Sequence, residues 1–405
     1  MDFHDSPAEA AFRTEVRDFI AREYRSDGDG DIADARGAAH AATQGGPAAM
    51  QRYQAWMKKL AAKGWVAPAW PQEYGGAGMT IMEQFVFNEE MAKARAPRPG
   101  GIGVGFAGPT IIVYGAGEQK TEHLPGILSG DAVWCQGFSE PGSGSDLASL
   151  QTSAVKDGDD YIVNGQKIWT SGAQYAQRMI LLARTDPAAP KHKGISYFLL
   201  DMKSPGVSVR PLVNMAGTPM FNEVFFDNVR VPRKDLLGEE NRGWYVAATT
   251  LDFERSSIGS SIAQGQQVED LVLWVKDRRG EVQPTIRCEL AERAIEAETA
   301  RLLSYRVISM QNRGLVPNHE AAAVKLYAAE LNQRVANTAI KLAGLYGQLE
   351  GDRNAGAGSA INRYAPNKGR FARAYLGAVA STIAGGTSEV NRNIIATRGL
   401  GLPRD

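Results

Sequence analysis

The sequence has few of the residues that build disulfide frameworks and metal sites. Its 405 residues include two cysteines, Cys135 and Cys288, and five histidines. The cysteines lie far apart in sequence and form no Cys-x-x-Cys motif, so the sequence indicates neither a disulfide framework nor a thiolate metal centre. No two histidines have the spacing of a His-x-x-x-His or His-Glu-x-x-His motif. We therefore expect no bound metal.

The chain also lacks an excess of one charge and an uninterrupted apolar run of membrane length. Its 45 acidic and 45 basic residues balance, so nothing favours nucleic acid or an anionic membrane as a partner. The uncharged stretch from Pro99 to Gly117 contains Pro109 and many glycines, and we expect a buried glycine-rich turn region there. The N-terminal residues lack the basic-then-apolar layout of a signal peptide. We expect a cytoplasmic protein without an integral membrane segment.

Apolar spacing predicts helices at both ends of the chain. Residues 11–24, 53–63 and 80–92 have the spacing of amphipathic helices, and a surface excursion is expected over 26–47. Near the other end, apolar residues recur every three or four positions from Val324 to Leu342, which predicts a long helix facing a core.

The middle of the chain has a different pattern. Strand-length apolar runs separated by turn residues extend from about Ala132 to Pro232 and predict an antiparallel β domain. Asn164-Gly165 between two such runs predicts a hairpin turn. We therefore expect a helical domain over residues 1–131, a β domain over 132–235 and a helical domain over 236–405.

Two short segments carry the strongest functional signal. The first is Gln136-Gly-Phe-Ser-Glu-Pro-Gly-Ser-Gly-Ser-Asp146, in which proline and glycine bend the backbone while serines offer hydroxyls. Such a bend lets backbone N–H groups and hydroxyls converge on an anion or a strong acceptor. The second is Asn164-Gly-Gln-Lys-Ile-Trp-Thr-Ser-Gly172, which sets the flat ring of Trp169 beside two hydroxyls. Together they suit a flat cofactor rich in heteroatoms.

These segments resemble the flavin-binding signatures of the acyl-CoA dehydrogenase family. Two further motifs follow the family's order, Ala69-Trp-Pro-Gln-Glu-Tyr-Gly-Gly76 and Gly386-Thr-Ser-Glu-Val-Asn-Arg392. The resemblance implies an α+β multidomain fold with an N-terminal helical domain, a middle antiparallel β barrel and a C-terminal helical bundle. It also implies FAD as cofactor and an acyl-CoA substrate, in a reaction of the kind that opens β-oxidation.

The family's reaction requires a base. A carboxylate removes the α-proton of the thioester, and the β-hydride passes to flavin N5, leaving a trans-2-enoyl-CoA. Many relatives carry this glutamate directly before Gly-Thr-Ser, where the present chain has Gly385. A subset carries it in a Leu-Asp-x-Glu-Arg context on the first long helix of the C-terminal domain. Leu251-Asp-Phe-Glu-Arg255 matches that context, so Glu254 is the expected base, with an ordinary surface glutamate as the alternative.

The resemblance also assigns binding roles. Asp252 and Arg255 are expected at CoA, where an ion pair between the two is the alternative for Arg255, and Ser145 and Gly386 are expected beside the substrate. The expected cofactor-binding residues are Phe138, Ser139, Gly144, Ser145, Trp169, Thr170, Ser171, Arg278, Thr387, Ser388 and Glu389. Around Arg278 the family's Arg-x-x-Phe-Gly-x-Pro is altered, since Glu281-Val282 replaces Phe-Gly.

The resemblance leaves alternatives open. A catalytically weak or silent subunit of a heteromeric enzyme would fit the altered adenine-end motifs, and a flavin oxidase on the same fold is a third possibility. An electron-transfer flavoprotein is the expected electron acceptor. A homodimer, a homotetramer or a heteromer with a related chain is the expected assembly. The small Ala384-Gly385-Gly386 segment favours a bulky or branched acyl group.

Overall fold

The computed structural model describes residues 5–24, 51–255, 259–277, 282–350 and 364–403. The chain divides into two compact units, Met1–Ser256 and Ser257–Asp405. The predicted excursion over 26–47 lies wholly outside the described residues, and the domain boundaries at 131 and 235 stay predictions.

The first unit begins with helices. Two of the helices predicted from the sequence start with a capping box. Ser6 and Glu9 form it at the helix that begins at Pro7, and Thr80 and Glu83 form it at the helix that begins at Ile81. The amphipathic spacing is confirmed, since Val16, Phe19 and Ile20 of the first helix are buried. The helices are α1 (Pro7–Glu23), α2 (residues 51–62), α3 (Ile81–Lys93), α4 (Gly108–Tyr114) and α5 (Gly117–Ser129).

The prediction of a turn region over 99–117 was wrong. A π-helical turn, Gly103–Ala107, leads directly into α4. Tertiary packing overrides the low helix propensity of the glycines. At Gly108 a Cβ atom would lie 1.8 Å from the Trp70 ring, so only glycine allows this helix to meet the tryptophan. No helix in the described part of the chain is long and apolar enough to cross a membrane.

A seven-stranded sheet follows the helices. Its strands are β1 (Trp134–Gly137), β2 (Ser153–Asp157), β3 (Asp160–Lys167), β4 (Arg178–Arg184), β5 (Ile195–Asp201), β6 (Val207–Leu212) and β7 (Phe221–Val231). The hydrogen-bonded order is β1-β4-β2-β3-β7-β6, with β5 on the other side of β4. The sheet is curled but open, so the prediction of a barrel was wrong. The prediction that all strands are antiparallel was also wrong, because β1 and β4 pair in parallel.

The central strands are buried on both faces. Along β4, Ile180 and Leu182 contact one apolar cluster together with Trp70 and Ile111 of the helical part. Met179, Leu181 and Ala183 alternate with them and face a second cluster inside the curl of the sheet. Burial on both faces explains why these strands are continuous apolar runs.

The predicted hairpin at Asn164-Gly165 was wrong. Both residues lie within β3, where the pairing with β7 shifts register between Val163 and Gly165. The hairpin turn is instead at Gly158-Asp159 between β2 and β3, where Asp157 pairs with Asp160. Gly158 has φ +64°, a conformation that favours glycine. The turn preference of Asn164-Gly165 is overridden because the backbone on both sides of it pairs with β7.

The first unit ends with α6 (Gly243–Arg255), and the second unit is helical. Among its described residues the α-helices are α7 (Gly259–Asp277), α8 (Pro284–Asn312), α9 (His319–Ala343), α10 (Arg370–Ala378) and α11 (Ser388–Ile394). The long helix predicted through Val324 and Leu342 is confirmed as part of α9. Its Leu331, Val335 and Ala339 are buried in a cluster with Val268 and Phe371.

Candidate functional site

The two motif segments of the first unit lie side by side. The Ile168 backbone N–H donates to the Ser139 carbonyl at 2.9 Å. The Lys167 ammonium donates to the Phe138 carbonyl at 3.0 Å. The end of β3 therefore runs along the residues that follow β1. The two segments are thus neighbours, as a shared cofactor site requires, and pairing near the end of β3 joins them rather than a hairpin at Asn164.

A buried ion pair joins the same segments. Lys167 is fully buried and its Nζ lies 2.7 Å from Oε1 of Glu140, whose side chain is 7% exposed. Glu140 also accepts the backbone N–H of Gln151 at 2.6 Å and that of Thr152 at 2.9 Å. The carboxylate thus has a hydrogen-bond partner on each oxygen, as a buried charge requires.

The ionisation of the pair is set by burial and by each partner. Burial opposes the charge of Glu140, but the nearby Lys167 ammonium and the hydrogen bonds outweigh it and lower the pKa of the carboxyl. Burial lowers the pKa of Lys167 to about 8, against the opposing effect of Glu140. At neutral pH both groups are charged, and Lys167 begins to lose its proton as the solution becomes mildly alkaline.

Trp169 follows two residues after Lys167 in a strained conformation. Its φ is +60°, which L-residues with large side chains rarely adopt. The residue is 59% exposed, and its ring contacts Phe221 edge to face, with ring centroids 5.9 Å apart. A large ring held outward at a conformational cost is typical of a ligand-binding position.

Thr170 and Ser171 continue this surface in different ways. The Thr170 backbone exchanges hydrogen bonds with Asn222, whose Nδ2 donates to the Thr170 carbonyl at 2.9 Å and whose own carbonyl accepts the Thr170 N–H at 3.0 Å. Thr170 Oγ1 is buried and has no hydrogen-bond partner among the described residues. Ser171 is exposed. The segment thus offers a ring, an unpaired hydroxyl and an exposed hydroxyl.

The first segment combines anchored and open positions. Phe138 is buried and contacts Tyr197 edge to face. Ser139 is half-buried, whereas Gly144 and Ser145 are exposed, with nothing within 4 Å of the place a Cβ would take on Gly144. Ser143 instead holds the loop, since its hydroxyl donates to the Asp146 carbonyl at 2.8 Å. Groups that could touch a ligand therefore alternate with groups that shape the loop.

Helix α6 is anchored by a chain of hydroxyls within the first unit. Thr250 is fully buried, and its Oγ1 lies 2.9 Å from Thr110 Oγ1 and 3.3 Å from the Tyr197 hydroxyl. The Thr110 hydroxyl in turn donates to the Phe106 carbonyl at 2.7 Å, in the π-helical turn. The buried face of α6 is thereby fixed against both α4 and β5.

The predicted base and CoA residues lie at the end of α6. The backbones of Asp252, Glu254 and Arg255 belong to this helix, while their side chains lie outside the described part of the structure. Arg278 lies wholly outside it. Because helix positions four apart share a face, Glu254 lies on the same face as Thr250.

The C-terminal loop belongs to the second unit. Gly385 and Gly386 have φ values of +66° and +87°. Thr387 caps α11 by accepting the Val390 N–H at 3.1 Å, and Asn391 Nδ2 donates to the Gly386 and Thr387 carbonyls at 3.0 and 2.9 Å. Two of its predicted site residues differ in burial, since Glu389 is exposed whereas Ser388 is buried, with its Oγ unpaired among the described residues.

One acid–histidine cluster lies away from the motif segments. Possible ligand atoms of Glu122, His123 and Asp235 lie within 4.8 Å of one another. Glu122 already binds Lys234 at 3.1 Å and Arg178 at 3.3 Å. Burial lowers the pKa of His123 to about 4 and raises that of Asp235 to about 6. We interpret the cluster as an ion-pair network, because two cations compete for its exposed carboxylate.

Sequence reasoning missed three structural residues of the site: Glu140, Lys167 and Asn222. A signal existed for Lys167. Tyr161, Val163 and Lys167 share the period-two phase of β3 and are all buried. A lysine on the buried face of a strand requires a buried anion, and Glu140 was in the neighbouring motif. Nothing local indicated Asn222, because its partner Thr170 lies far away in sequence.

Comparison with protein families gives a consistent result along the chain. The family models for the acyl-CoA dehydrogenase N-terminal, middle and C-terminal domains match residues 6–131, 135–229 and 241–400. The middle-domain match begins in β1 and includes both motif segments. The C-terminal match begins just before α6.

Characterised relatives cover nearly the whole chain. "Acyl-CoA dehydrogenase IpdE1" of Mycobacterium tuberculosis is 37% identical, over 97% of this chain and 98% of its own. The solved "Tcur3481-Tcur3483 steroid ACAD" is 35% identical with a TM-score of 0.85, covering 100% of both chains. The ChsE4-ChsE5 complex of Mycobacterium tuberculosis is 32% identical with a TM-score of 0.79, again over 100% of both chains. The chain belongs to the acyl-CoA dehydrogenase family of oxidoreductases.

Proposed function

We propose that the chain catalyses FAD-dependent α,β-dehydrogenation of an acyl-CoA thioester, with Glu254 as the base. The observation that carries the proposal is the surface formed by residues 138–140 and 167–171. It presents the exposed Trp169 ring, held at positive φ, next to the buried and unpaired Thr170 hydroxyl. An orphaned buried hydroxyl beside an outward-facing ring fits a flat cofactor that supplies an acceptor.

The residues of this surface have distinct tasks. When bound, FAD supplies the acceptor for the β-hydride. Trp169 offers a flat face to pack against the ring, and the hydroxyls of Ser139, Thr170 and Ser171 offer hydrogen bonds to its edge. Ser145, in the exposed part of the loop, is available to both cofactor and CoA.

Helix α6 supports Glu254 as the base. Val246, Ala247 and Thr250 are buried on this helix, and the position of Glu254 follows that of Thr250 by about one helical turn. A carboxylate placed against the α-proton can act as the base, and the residues one helical turn before Glu254, Thr250 and Leu251, include no cation that would pair with it. Gly385 leaves the family's other base position without a carboxylate. We assign CoA contacts to Asp252 and Arg255, and further contacts near the cofactor to Arg278, Gly386, Thr387, Ser388 and Glu389.

The decisive experiment compares Glu254→Gln with wild type. The variant should bind FAD and substrate analogues normally but reduce flavin about a thousandfold more slowly, because the positioned base is lost. Anaerobic stopped-flow bleaching of the flavin by acyl-CoA measures the rate. Glu269→Gln is the matched control, since Glu269 is an exposed carboxylate on α7, and it should react like wild type. A Glu254→Gln variant at near-normal rate would refute the base assignment.

The acyl group is proposed to be bulky. The vacant base position at Gly385 and the adjoining Gly386 leave room, and the similar solved Tcur3481-Tcur3483 protein is a steroid ACAD. A panel of straight-chain, branched and steroid-ring CoA thioesters, assayed with an electron-acceptor dye, tests this. Higher kcat/KM for straight short chains than for every branched or ring-bearing thioester would contradict the proposal.

A second candidate is a subunit that works only with a related chain. It is favoured by the altered segment around Arg278 and by the likeness to a solved complex of two chains, ChsE4 and ChsE5. The homomeric alternative is a dimer or tetramer. Light scattering with flavin content distinguishes them, because a heteromeric subunit alone should be flavin-poor and inactive until the partner is added. In either assembly, an electron-transfer flavoprotein is the proposed acceptor of electrons.

A further inference from the structure

We propose that the buried Lys167–Glu140 ion pair is a positioning element of the FAD site, holding Ser139 and Trp169 in register with one another. The inference rests on the proposed function. It assigns both residues the role of fixing the backbone under the cofactor, without contact to the cofactor itself.

The pair stands at the junction of the two segments. Glu140 directly follows Ser139, and Lys167 comes two residues before Trp169. Lys167 Nζ reaches two acceptors at once, the Glu140 carboxylate at 2.7 Å and the Phe138 carbonyl at 3.0 Å. The backbone hydrogen bond from Ile168 to Ser139 lies next to these two contacts of Lys167. Through Lys167, the backbone that leads into Trp169 is therefore bonded to the residues on both sides of Ser139, Phe138 and Glu140.

Stability alone is a poor explanation for this arrangement. Replacing a buried ion pair with apolar residues is often neutral or stabilising, so such a pair contributes little net stability. It does impose geometry, because each charge is satisfied only when its partners lie at hydrogen-bond distance. The strained φ of +60° at Trp169 needs such an anchor, since unrestrained backbone would relax away from it.

A second buried cation provides an internal comparison. Arg184 is 8% exposed and holds the far end of the same loop, donating to the Ala148 carbonyl at 2.7 Å and the Leu150 carbonyl at 3.0 Å. It makes the same kind of contact as Lys167, a buried cation on backbone carbonyls. Its carbonyls, however, lie beyond the proposed cofactor contacts. A positioning role therefore predicts different effects of the two cations on FAD.

The protonation state of Lys167 allows a second test that needs no mutation. The charged groups that influence it among the described residues are Glu140 and, on β4, Arg184. Burial lowers the pKa of Lys167 to about 8, whereas the carboxyl of Glu140 stays ionised above neutral pH because its pKa is lowered. Between pH 7 and 9 the ammonium becomes an amine, and the buried carboxylate loses its counter-charge.

The test measures FAD affinity and the absorption spectrum of bound flavin for the full chain. Lys167→Met should weaken FAD binding at least about tenfold, the scale of one hydrogen bond to a charged group, and should alter the flavin spectrum. Arg184→Met should lower the melting temperature but bind FAD within about twofold of wild type. In wild type, FAD affinity should fall between pH 7 and 9, whereas Glu140→Gln/Lys167→Met should show no such dependence.

The outcomes separate this inference from the proposed function. Wild-type protein that binds no FAD contradicts the proposed function. Wild type that binds FAD, with Lys167→Met equal to it in affinity and spectrum, overturns the inference alone. If Lys167→Met does not fold, the double variant Glu140→Gln/Lys167→Met decides, because it leaves no unpaired buried charge, and FAD affinity and spectrum equal to those of wild type overturn the inference.

Discussion

The segments at residues 138–171 in the first unit and residues 385–391 in the second each contain proposed cofactor contacts, yet they are held by different forces. In the first, a fully buried lysine, a buried carboxylate and backbone pairing fix the chain. In the second, one helix cap and one amide side chain hold two exposed glycines at positive φ. The first is an electrostatic anchor within a sheet, and the second is a neutral anchor at a helix end.

The difference predicts unequal tolerance to substitution. A buried ion pair cannot lose one partner without leaving an unpaired charge, whereas a helix cap or an amide can be partly replaced by water at an exposed loop. The β-sheet segment should therefore respond steeply to single changes. The C-terminal loop should respond mildly, which leaves its residues freer to vary with the shape of a substrate.

The largest effect should follow Glu140→Ala. Removing the carboxylate leaves the Lys167 ammonium buried and unpaired, and frees the Gln151 and Thr152 N–H groups. We expect the free energy of unfolding to fall by about 3–5 kcal/mol, measured by urea denaturation. Asp146→Ala is the control in the same loop, because Asp146 pairs with Lys191 at the surface and should cost no more than about 1 kcal/mol. Equal losses in both variants would contradict the electrostatic anchor.

A smaller effect should follow Asn391→Ala in the C-terminal loop. The variant loses two hydrogen bonds to the Gly386 and Thr387 carbonyls, but Gly386 is exposed and its carbonyl can bind water. We expect a loss of about 1–2 kcal/mol. Asn393→Ala, an exposed position on the same helix, should change stability by less than about 0.5 kcal/mol. A loss at Asn391 as large as that at Glu140 would remove the proposed difference between the segments.

Sequence patterns predicted α1 and α9 well because each of these two helices has one apolar face. The faces of α1 and α9 could be identified from spacing alone, since Val16, Phe19 and Ile20 in one and Leu331 and Val335 in the other are buried as expected. The strand runs were also visible. Their pairing was not, because the parallel contact of β1 with β4 joins distant residues and leaves no local signal.

The candidate site, like the fold, was predictable where the signal is local and not where it depends on residues distant in sequence. Family motifs indicated Ser139, Trp169 and Ser171, and the structure brings their segments together. The buried pair beneath them was overlooked, since lysine and glutamate are ordinarily surface residues. Asn164-Gly165 was misread because a turn dipeptide tolerates a register shift as well as a hairpin, and only the β7 partner decides between them.

The smallest expected effect is a difference in the free energy of unfolding between two substitutions of Trp169. Trp169→Gly and Trp169→Ala both remove the edge-to-face contact with Phe221 and should weaken FAD binding alike. They differ in backbone cost, because alanine at φ +60° retains the strain whereas glycine does not. We expect Trp169→Gly to be more stable than Trp169→Ala by about 1 kcal/mol, measured by parallel urea denaturation. The expected order reverses the usual preference for alanine over glycine, so an alanine variant of equal or greater stability would contradict a strained Trp169.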